Sequence, residues 1–186
     1  MRKFFFVILS LFAFVGFGMV ACSQESASMS TSKTVSIDAI RTQAKGFSVG
    51  SAVRAKTVYV FFDPQCPHCG HLWEASKPLL DSVKFVWIPV AFAGPVSVAE
   101  GAGILSAADP GQTMDQHEKL LKETGKGIAA PSTDGMADAV DSNTKLITAF
   151  GFDTIPAMVM SDVNVGGVKS HMGQMETAEL SKWVGL

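Results

Sequence analysis

The 186-residue sequence contains only three cysteines, Cys22, Cys66 and Cys69. Three cysteines are too few for the network of disulfides that holds many small exported domains together. A structural zinc site usually takes two cysteine pairs, and a second pair is missing. Covalent attachment of haem requires a histidine directly after the pair, where Gly70 stands. The neighbouring Cys66 and Cys69 therefore need another explanation.

Positive charge is also scarce in this sequence. The 15 lysines and arginines are outnumbered by 17 aspartates and glutamates, and they form no run. Proteins that bind nucleic acids concentrate basic side chains on one face or along one helix. The composition therefore predicts no nucleic-acid partner.

The N-terminal segment has the pattern of a secretory signal. Two basic residues open it, and an apolar stretch over residues 4–20 follows. Met19-Val20-Ala21-Cys22 resembles the lipobox of bacterial lipoproteins, although leucine is usual where methionine stands here. Residues 1–21 are therefore predicted to be a lipoprotein-type signal peptide, with Cys22 lipidated. Cleavage without lipidation and an uncleaved membrane anchor are the alternatives.

Export bears on the charge, the position and the redox state of the protein. Loss of residues 1–21 leaves 13 basic against 17 acidic side chains, a net charge of −4. Residues 22–34 are rich in serine and threonine, which predicts a flexible tether, and residues 35–186 form the predicted domain. We expect a periplasmic protein held at a membrane by its lipid. In that compartment a cysteine pair can cycle between thiols and a disulfide.

The first part of the domain alternates between strand and helix patterns. Residues 57–62 are a continuous apolar run, which predicts a strand buried on both faces, and residues 84–92 predict a second strand. Residues 67–82 between them have a helical pattern, with a kink expected at Pro78. A short helix over residues 36–44 precedes this βαβ unit.

A helical insertion of about residues 95–150 separates the βαβ unit from the end of the chain. Asp109 and Pro110 are a good start signal for one of its helices. The other predicted elements are a helix over residues 98–108, a helix from Ser132 or Thr133 to Phe150, strands over residues 156–160 and 163–172, and a helix over residues 178–184. The order of elements, βαβ, helical insertion and ββα, indicates the α/β class.

The motif Cys66-Pro67-His68-Cys69 stands where the first strand gives way to a helix. The thiolate is the reactive form of cysteine, and a helix start stabilises negative charge through its dipole and its unpaired amides. We therefore expect Cys66 to be the nucleophile and the more buried Cys69 to resolve the mixed disulfide. A charge on His68 would favour the thiolate further, and Pro67 fixes φ and removes one amide. This dipeptide favours the oxidising end of the motif class.

Other uses of these residues stay open at this point. A structural disulfide across so short a loop would restrict the unfolded chain little, and a zinc site would need His71 or His117 as a nitrogen ligand. Asp63 either influences the ionisation of Cys69 as a buried acid or simply ends the strand. The histidines outside the motif, including His171, are expected at the surface. Six methionines are expected to fill the core rather than to bind a soft metal: Met114, Met136, Met158, Met160, Met172 and Met175.

The motif and its surroundings resemble the catalytic domain of the DsbC/DsbG-type periplasmic disulfide isomerases of the Dsb family. The matching segments, spread over about residues 55–186, are Tyr59 to Cys69, Trp73, Pro78, Ala107 to Pro110, Ser132-Thr133 and Thr154 to Ala157. The resemblance implies a thioredoxin-like fold with a cis Ile155–Pro156 bond packed against the cysteine pair. It also implies that the backbone of Ile155, next to Thr154, pairs with an extended substrate segment. The redox-active disulfide Cys66–Cys69 would be the sole cofactor, with no metal.

The activity that the resemblance implies is exchange of disulfides with cysteine-containing exported proteins in the cell envelope. A membrane redox partner of the DsbD or DsbB type would recycle the enzyme. Some 33 residues separate Cys22 from the catalytic domain, too few for the dimerisation domain of the family, so we expect a monomer.

Two features leave the direction, oxidase or reductase/isomerase, open. Ile155 replaces the usual threonine before the cis-proline, and Pro67-His68 is the dipeptide of DsbA-type oxidases. The alternative function is that of a metal-binding or redox-inert envelope lipoprotein with a thioredoxin fold.

Overall fold

A computed structural model describes residues 34–51, 53, 56–129, 135–162 and 166–186. The predicted signal peptide, nearly all of the predicted tether with Cys22, and the predicted helix start at Ser132 or Thr133 lie outside these ranges. Within them, none of the helices combines the length and the apolar character needed to cross a membrane.

A mixed five-stranded sheet forms the centre of the described structure. Its strands are β1 (Phe47–Gly50), β2 (Lys56–Phe62), β3 (Val83–Pro89), β4 (Ala157–Asp162) and β5 (Gly167–Met172), in the spatial order β1-β3-β2-β4-β5. The β2–β3 pair is parallel and the other neighbours are antiparallel. The strand β1 was not expected from the sequence. It has four residues at the edge of the sheet, too few for a period-2 pattern to stand out.

The alternating side chains of β2 divide the core into two layers, one on each face of the sheet. Val58, Val60 and Phe62 belong to one hydrophobic cluster, and Phe61 belongs to the other. All four are completely buried. Because successive residues of a strand point to opposite faces, a strand covered on both sides has to be apolar throughout. The continuous apolar run in the sequence is explained by this central position.

Six α-helices cover the sheet in the described ranges. They are α1 (Ile37–Gln43), α2 (Pro67–Ser76), α3 (Pro95–Ser106), α4 (Pro110–Thr124), α5 (Met136–Ala149) and α6 (Thr177–Val184). The start signal at Asp109 is confirmed, since its carboxylate accepts a hydrogen bond from the amide of Gln112 at 2.9 Å. The helix α3 begins three residues before the predicted start, with Pro95 in its first turn.

The helix predicted over residues 67–82 is shorter than expected, because it ends before Pro78 instead of bending there. The helix α2 ends at Ser76, and a 3₁₀ turn follows at Lys77–Leu79. The amide of Lys77 already bonds to the carbonyl of Glu74, three residues back. Since Pro78 has no amide to continue the α pattern and its ring crowds the preceding turn, the helix terminates.

Edge-to-face aromatic contacts hold α2 on the sheet. Trp73 lies 5.0 Å from Trp87 of β3 and 6.2 Å from Phe47 of β1, measured between ring centroids. Phe62, at the end of β2, lies 5.6 Å from the same Trp87 ring. Such pairs add about 0.5–1.5 kcal/mol each beyond the area that they bury. They fix the start of α2 relative to the end of β2.

Met114 links the insertion helix α4 to the main core, and its truncation should destabilise the domain. The side chain is completely buried in the same cluster as Phe62. We expect Met114→Ala to lower the free energy of unfolding by about 2–5 kcal/mol, because it removes buried methylene groups and leaves a cavity. Met136→Ala, at a side chain that is 39% exposed, is the matched control and should change it by less than about 0.5 kcal/mol. Urea denaturation measures both, and equal losses would contradict the assignment of Met114 to the core.

Candidate active site

The motif Cys66-Pro67-His68-Cys69 lies at the junction of β2 and α2. Cys66 is the N-cap residue of α2, with extended backbone angles (φ −92°, ψ 113°), and Pro67 is the first helical residue. The amides of Cys69 and Gly70 donate to the carbonyl of Cys66 at 2.9 and 3.3 Å and close the first turn. No acidic side chain lies in that turn. The sulfur of Cys66 therefore occupies the positive end of the helix.

The environment of Cys66 stabilises its thiolate. A hydrogen bond from the Cys69 thiol is the largest influence, and backbone hydrogen bonds at Cys69 and His68 and the charge of His68 act in the same direction. Partial burial opposes them. Together they lower the pKa of Cys66 from 9.0 to about 6. This shift favours the thiolate of the partly exposed Cys66 at neutral pH, and the thiolate is the form that attacks disulfides.

Cys69 has the opposite ionisation behaviour. Its side chain is completely buried, and burial raises the pKa of its thiol well above 9.0. The hydrogen bond to Cys66 and the negative charges of Cys66 and Asp63 raise the pKa of Cys69 further, against one backbone hydrogen bond at Asp63. The two cysteines are not joined by a disulfide in the structure. These opposite shifts support the roles predicted for Cys66 as nucleophile and Cys69 as resolving residue.

The second half of the predicted site comes from the loop before β4. The Ile155–Pro156 bond is cis, as the resemblance implied. Ile155 is half-buried and packs, like Cys66, against the hydrophobic cluster that contains Cys69. The carbonyl of Pro156 accepts a hydrogen bond from the amide of Gly173 at 2.8 Å. The structure thus places Ile155 against the same cluster as the cysteine pair.

His68 connects the motif to this second half. Its Nδ1 lies 2.8 Å from Oε1 of Gln174, the residue after Gly173. His68 and Pro67 are both exposed, and so is Thr154, whose hydroxyl donates to the carboxylate of Asp153 at 3.1 Å. Pro67, His68 and Thr154 are therefore accessible to a protein substrate, and Gln174, the partner of His68, is partly exposed.

Asp63 organises the turn that leads into the motif. Its buried carboxylate accepts hydrogen bonds from the amide of Gln65 at 2.8 Å, the hydroxyl of Ser97 at 2.6 Å and the amide of Ala93 at 2.7 Å. Three donors compensate its desolvation. Both interpretations of Asp63 hold, because the carboxylate ends the strand and its charge also raises the pKa of Cys69.

His117 is completely buried under the active-site turn, so the expectation of a surface position was wrong. Its Nε2 lies 2.8 Å from the carbonyl of Pro64, and its Nδ1 lies 3.3 Å from the amide of Ile128. A carbonyl can only accept and an amide N–H can only donate, so these partners assign the neutral Nε2–H tautomer. His117 therefore fastens the turn to the insertion.

Two glutamates of the insertion also reach the site and were not anticipated. Glu100 of α3 is buried and accepts a hydrogen bond from the side chain of Gln65 at 2.5 Å. Glu118 of α4 packs directly against Gly70. A signal for Glu118 was present in the sequence. Residues 114, 117, 118 and 121 recur at the spacing of one helix face, and the polar members of a buried stripe are candidate site residues.

The other histidines and the methionines follow the sequence expectations in part. His71 is exposed, and His171 is half-buried with its ring 6.5 Å from that of Trp183. Met158 and Met160 join Met114 in the core, but Met136 and Met172 are exposed. In the part of the chain that the structure describes, no three His, Cys, Asp or Glu side chains converge on a potential metal position.

Solved structures with the same architecture define the fold class. The catalytic domain of Proteus mirabilis ScsC superposes with a TM-score of 0.64 at 18% identity, over 79% of this chain and 91% of that one. A periplasmic thioredoxin-like protein from Salmonella enterica serovar Typhimurium superposes with a TM-score of 0.62 at 21% identity, over 75% and 88% of the two chains. The chain therefore has a thioredoxin-like fold.

Sequence comparison finds similarity to thiol:disulfide interchange proteins. The thiol:disulfide interchange protein DsbG of Escherichia coli is 32% identical over 103 residues, which are 54% of this chain and 42% of that protein. DsbG of Pseudomonas aeruginosa is 26% identical over 145 residues, 77% of this chain and 56% of that protein. No family model matches the sequence. The chain has a thioredoxin-like fold and is similar in sequence to DsbG, and it spans about half the length of these curated relatives.

The hydrogen bond from Cys69, which is the largest influence on the pKa of Cys66, can be tested by titration. We expect the ultraviolet absorbance of the thiolate in the reduced protein to titrate with a midpoint near pH 6. Cys69→Ala should move the midpoint upward, because it removes the thiol donor. Cys69→Ser is the matched control, since it keeps a hydroxyl donor and should move the midpoint less. An unchanged midpoint in Cys69→Ala would contradict the assigned interaction.

Proposed function

We propose that this protein is a thiol:disulfide oxidoreductase of the cell envelope that exchanges disulfides with cysteine-containing exported proteins. The observation that carries the proposal is the pair of cysteines with opposite ionisation at the start of α2. Cys66 is accessible and its pKa is about 6, whereas Cys69 is buried and its pKa is raised. A purely structural disulfide would not require its two cysteines to differ in accessibility or in pKa.

Exchange proceeds through a mixed disulfide. The Cys66 thiolate attacks one sulfur of a substrate disulfide, forms a new S–S bond and releases the other substrate sulfur as a thiolate. Cys69 then gives its proton to a released substrate sulfur and attacks the Cys66 sulfur, so that the enzyme is oxidised to the Cys66–Cys69 disulfide and the substrate leaves with both sulfurs reduced. The reverse sequence oxidises a substrate dithiol. Neither direction requires a metal or an organic cofactor.

The segment around the cis-proline would hold the substrate chain. Ile155 lies two residues before the first residue of β4, and the pairing of β4 with β2 ends at Ala157. An extended substrate segment beside the motif can therefore pair with the backbone of Ile155 and contact Thr154. A groove of about 490 Å³ begins at Gln174 and continues along Met175 and Trp183. It offers an apolar surface for side chains that flank the substrate cysteine.

The cellular setting follows from the N-terminal pattern and the relatives. The protein would act in the periplasm as a monomer anchored through lipid on Cys22, and a membrane protein of the DsbD or DsbB type would recycle it. The name of the curated relatives supports disulfide interchange. The redox state of the cysteine pair in the cell would show whether the protein oxidises or reduces its substrates. Trapping the thiols with an alkylating mass tag gives an oxidised pair for an oxidase and a reduced pair for a reductase or isomerase.

Substitution of each cysteine separates their roles. Cys66→Ser should abolish the reduction and oxidation of a test disulfide, because Cys69 is buried and protonated. Cys69→Ala should trap mixed disulfides with partners, visible on non-reducing gels, since the resolving thiol is gone. Cys22→Ser is the matched cysteine control and should keep full exchange activity while losing lipid attachment.

Exchange that persists in Cys66→Ser would refute the proposed mechanism. Tight, stoichiometric binding of copper or zinc by a reduced protein that exchanges no disulfides would favour the metal-binding alternative instead.

A further inference from the structure

Glu118 is a partly buried acid beside the cysteine pair that the exchange mechanism leaves unused. It lies on α4, in the insertion, and is only partly exposed. Its Oε1 atom is buried and has no hydrogen-bond partner among the described residues. Buried carboxylates normally accept several hydrogen bonds, as Asp63 does. An unpartnered carboxyl oxygen in this position is easier to accommodate when the group carries a proton.

The absence of a side chain at residue 70 brings this carboxyl close to the motif. Gly70 directly follows Cys69 and sits in the first turn of α2. A β-carbon at residue 70 would overlap the carboxyl group of Glu118. The acid therefore packs against the backbone of the active-site helix, one residue beyond the resolving cysteine.

The charges around Glu118 are mostly negative. The thiolate of Cys66, Glu74 of α2 and Glu100 of α3 all disfavour its ionised form, and Lys77 favours it. Lys77 is already engaged, at 2.7 Å from both Glu74 and Asp115. Burial is the largest influence and the Cys66 charge comes next, and together with the others they raise the pKa of Glu118 to about 8.

We propose that Glu118 stores one of the two protons that accompany reduction of the Cys66–Cys69 disulfide. The inference rests on the proposed exchange activity. When a substrate dithiol reduces the enzyme, two electrons break the Cys66–Cys69 bond and two protons leave the substrate. Cys69 takes one proton and becomes a thiol, the Glu118 carboxylate takes the other, and Cys66 stays a thiolate. The substrate becomes a disulfide, and no proton is released to the solvent.

The direction of this coupling follows from charge. In the disulfide form Cys66 carries no charge, so one of the groups that oppose ionisation of Glu118 is removed. Ionisation of Glu118 is then easier in the oxidised enzyme than in the reduced one. The two redox forms differ in the protonation of Glu118 in a pH range just below 8. Proton uptake at Glu118 would also keep the reduced site from holding two neighbouring negative charges.

The carbon-13 signal of the Glu118 carboxyl tests the first half of the inference on the unaltered chain. Its titration midpoint should lie near pH 8 in the reduced protein and at a clearly lower pH in the oxidised protein. Reduced Cys66→Ala, which lacks the thiolate, should also show the lower midpoint. Glu118→Gln identifies the signal. Equal midpoints in the two redox forms would overturn the inference.

The second part of the inference, proton uptake on reduction, is tested by bringing the protein to redox equilibrium with dithiothreitol at several pH values. Dithiothreitol brings two protons, so a site that takes up only one releases the other, and the equilibrium constant for reduction rises about tenfold per pH unit. Glu118→Gln should show this full rise between pH 7 and 8, whereas the native protein should show a smaller one. Glu123→Gln, an exposed acid on the same helix, should match the native protein. Equal slopes in the native protein and Glu118→Gln would refute proton storage, whereas failure of every variant to react would refute the exchange activity itself.

Discussion

The thiolate of Cys66 depends on donors that converge on one sulfur atom. The Cys69 thiol and backbone hydrogen bonds at His68 and Cys69 stabilise the negative charge, and the charge of His68 adds to them. All of these donors belong to the first turn of α2, so they converge only when the helix starts at Pro67. A start one residue later would leave Cys66 without the amides of that turn. The register between β2 and α2 is therefore the constraint on which the chemistry rests.

Two parts of the fold enforce this register from opposite sides. The aromatic contacts of Trp73 with Trp87 and Phe47 hold α2 on the sheet. On the other side, Asp63 bonds to Ser97 of α3 and His117 of α4 bonds to the carbonyl of Pro64. The insertion is thus part of the support of the active-site turn, because it provides partners for polar groups that would otherwise be buried alone.

Much of the fold was predictable from the sequence, and the failures have physical reasons. The strand β2 was evident because a strand covered on both faces must be apolar throughout. The end of α2 was not, since a proline can either bend or stop a helix and the following chain decides which. His117 was misplaced because histidine is intermediate in its preference for burial, so the residue type alone does not decide its position. Its position on the stripe of Met114 was the better guide.

Some residues of the candidate site were predictable from the sequence and others were not. Cys66 and Cys69 were predicted from local chemistry, because a helix start acts on residues within one turn. The cis-proline came only from family resemblance. Nothing local to residues 154–157 sets which bond isomer or which neighbour the fold selects. Glu118 lies 52 positions from Cys66 in the sequence, and its contact with Gly70 exists only after α4 has packed against α2.

Acidic groups near the cysteine pair also bear on how oxidising its disulfide is. A more stable thiolate favours the reduced form and makes the disulfide more oxidising. The donors of α2 act in that direction, whereas the charge of Asp63 acts on Cys69 and the carboxyl group of Glu118 packs against Gly70. The donors prevail, since the pKa of Cys66 falls to about 6, between about 7 in thioredoxin and about 3.5 in DsbA. The proposed protonation of Glu118 would act in the same direction, because it would remove a negative charge from the reduced site. The partner that exchanges with the pair, rather than the pair alone, would then determine the direction of electron flow.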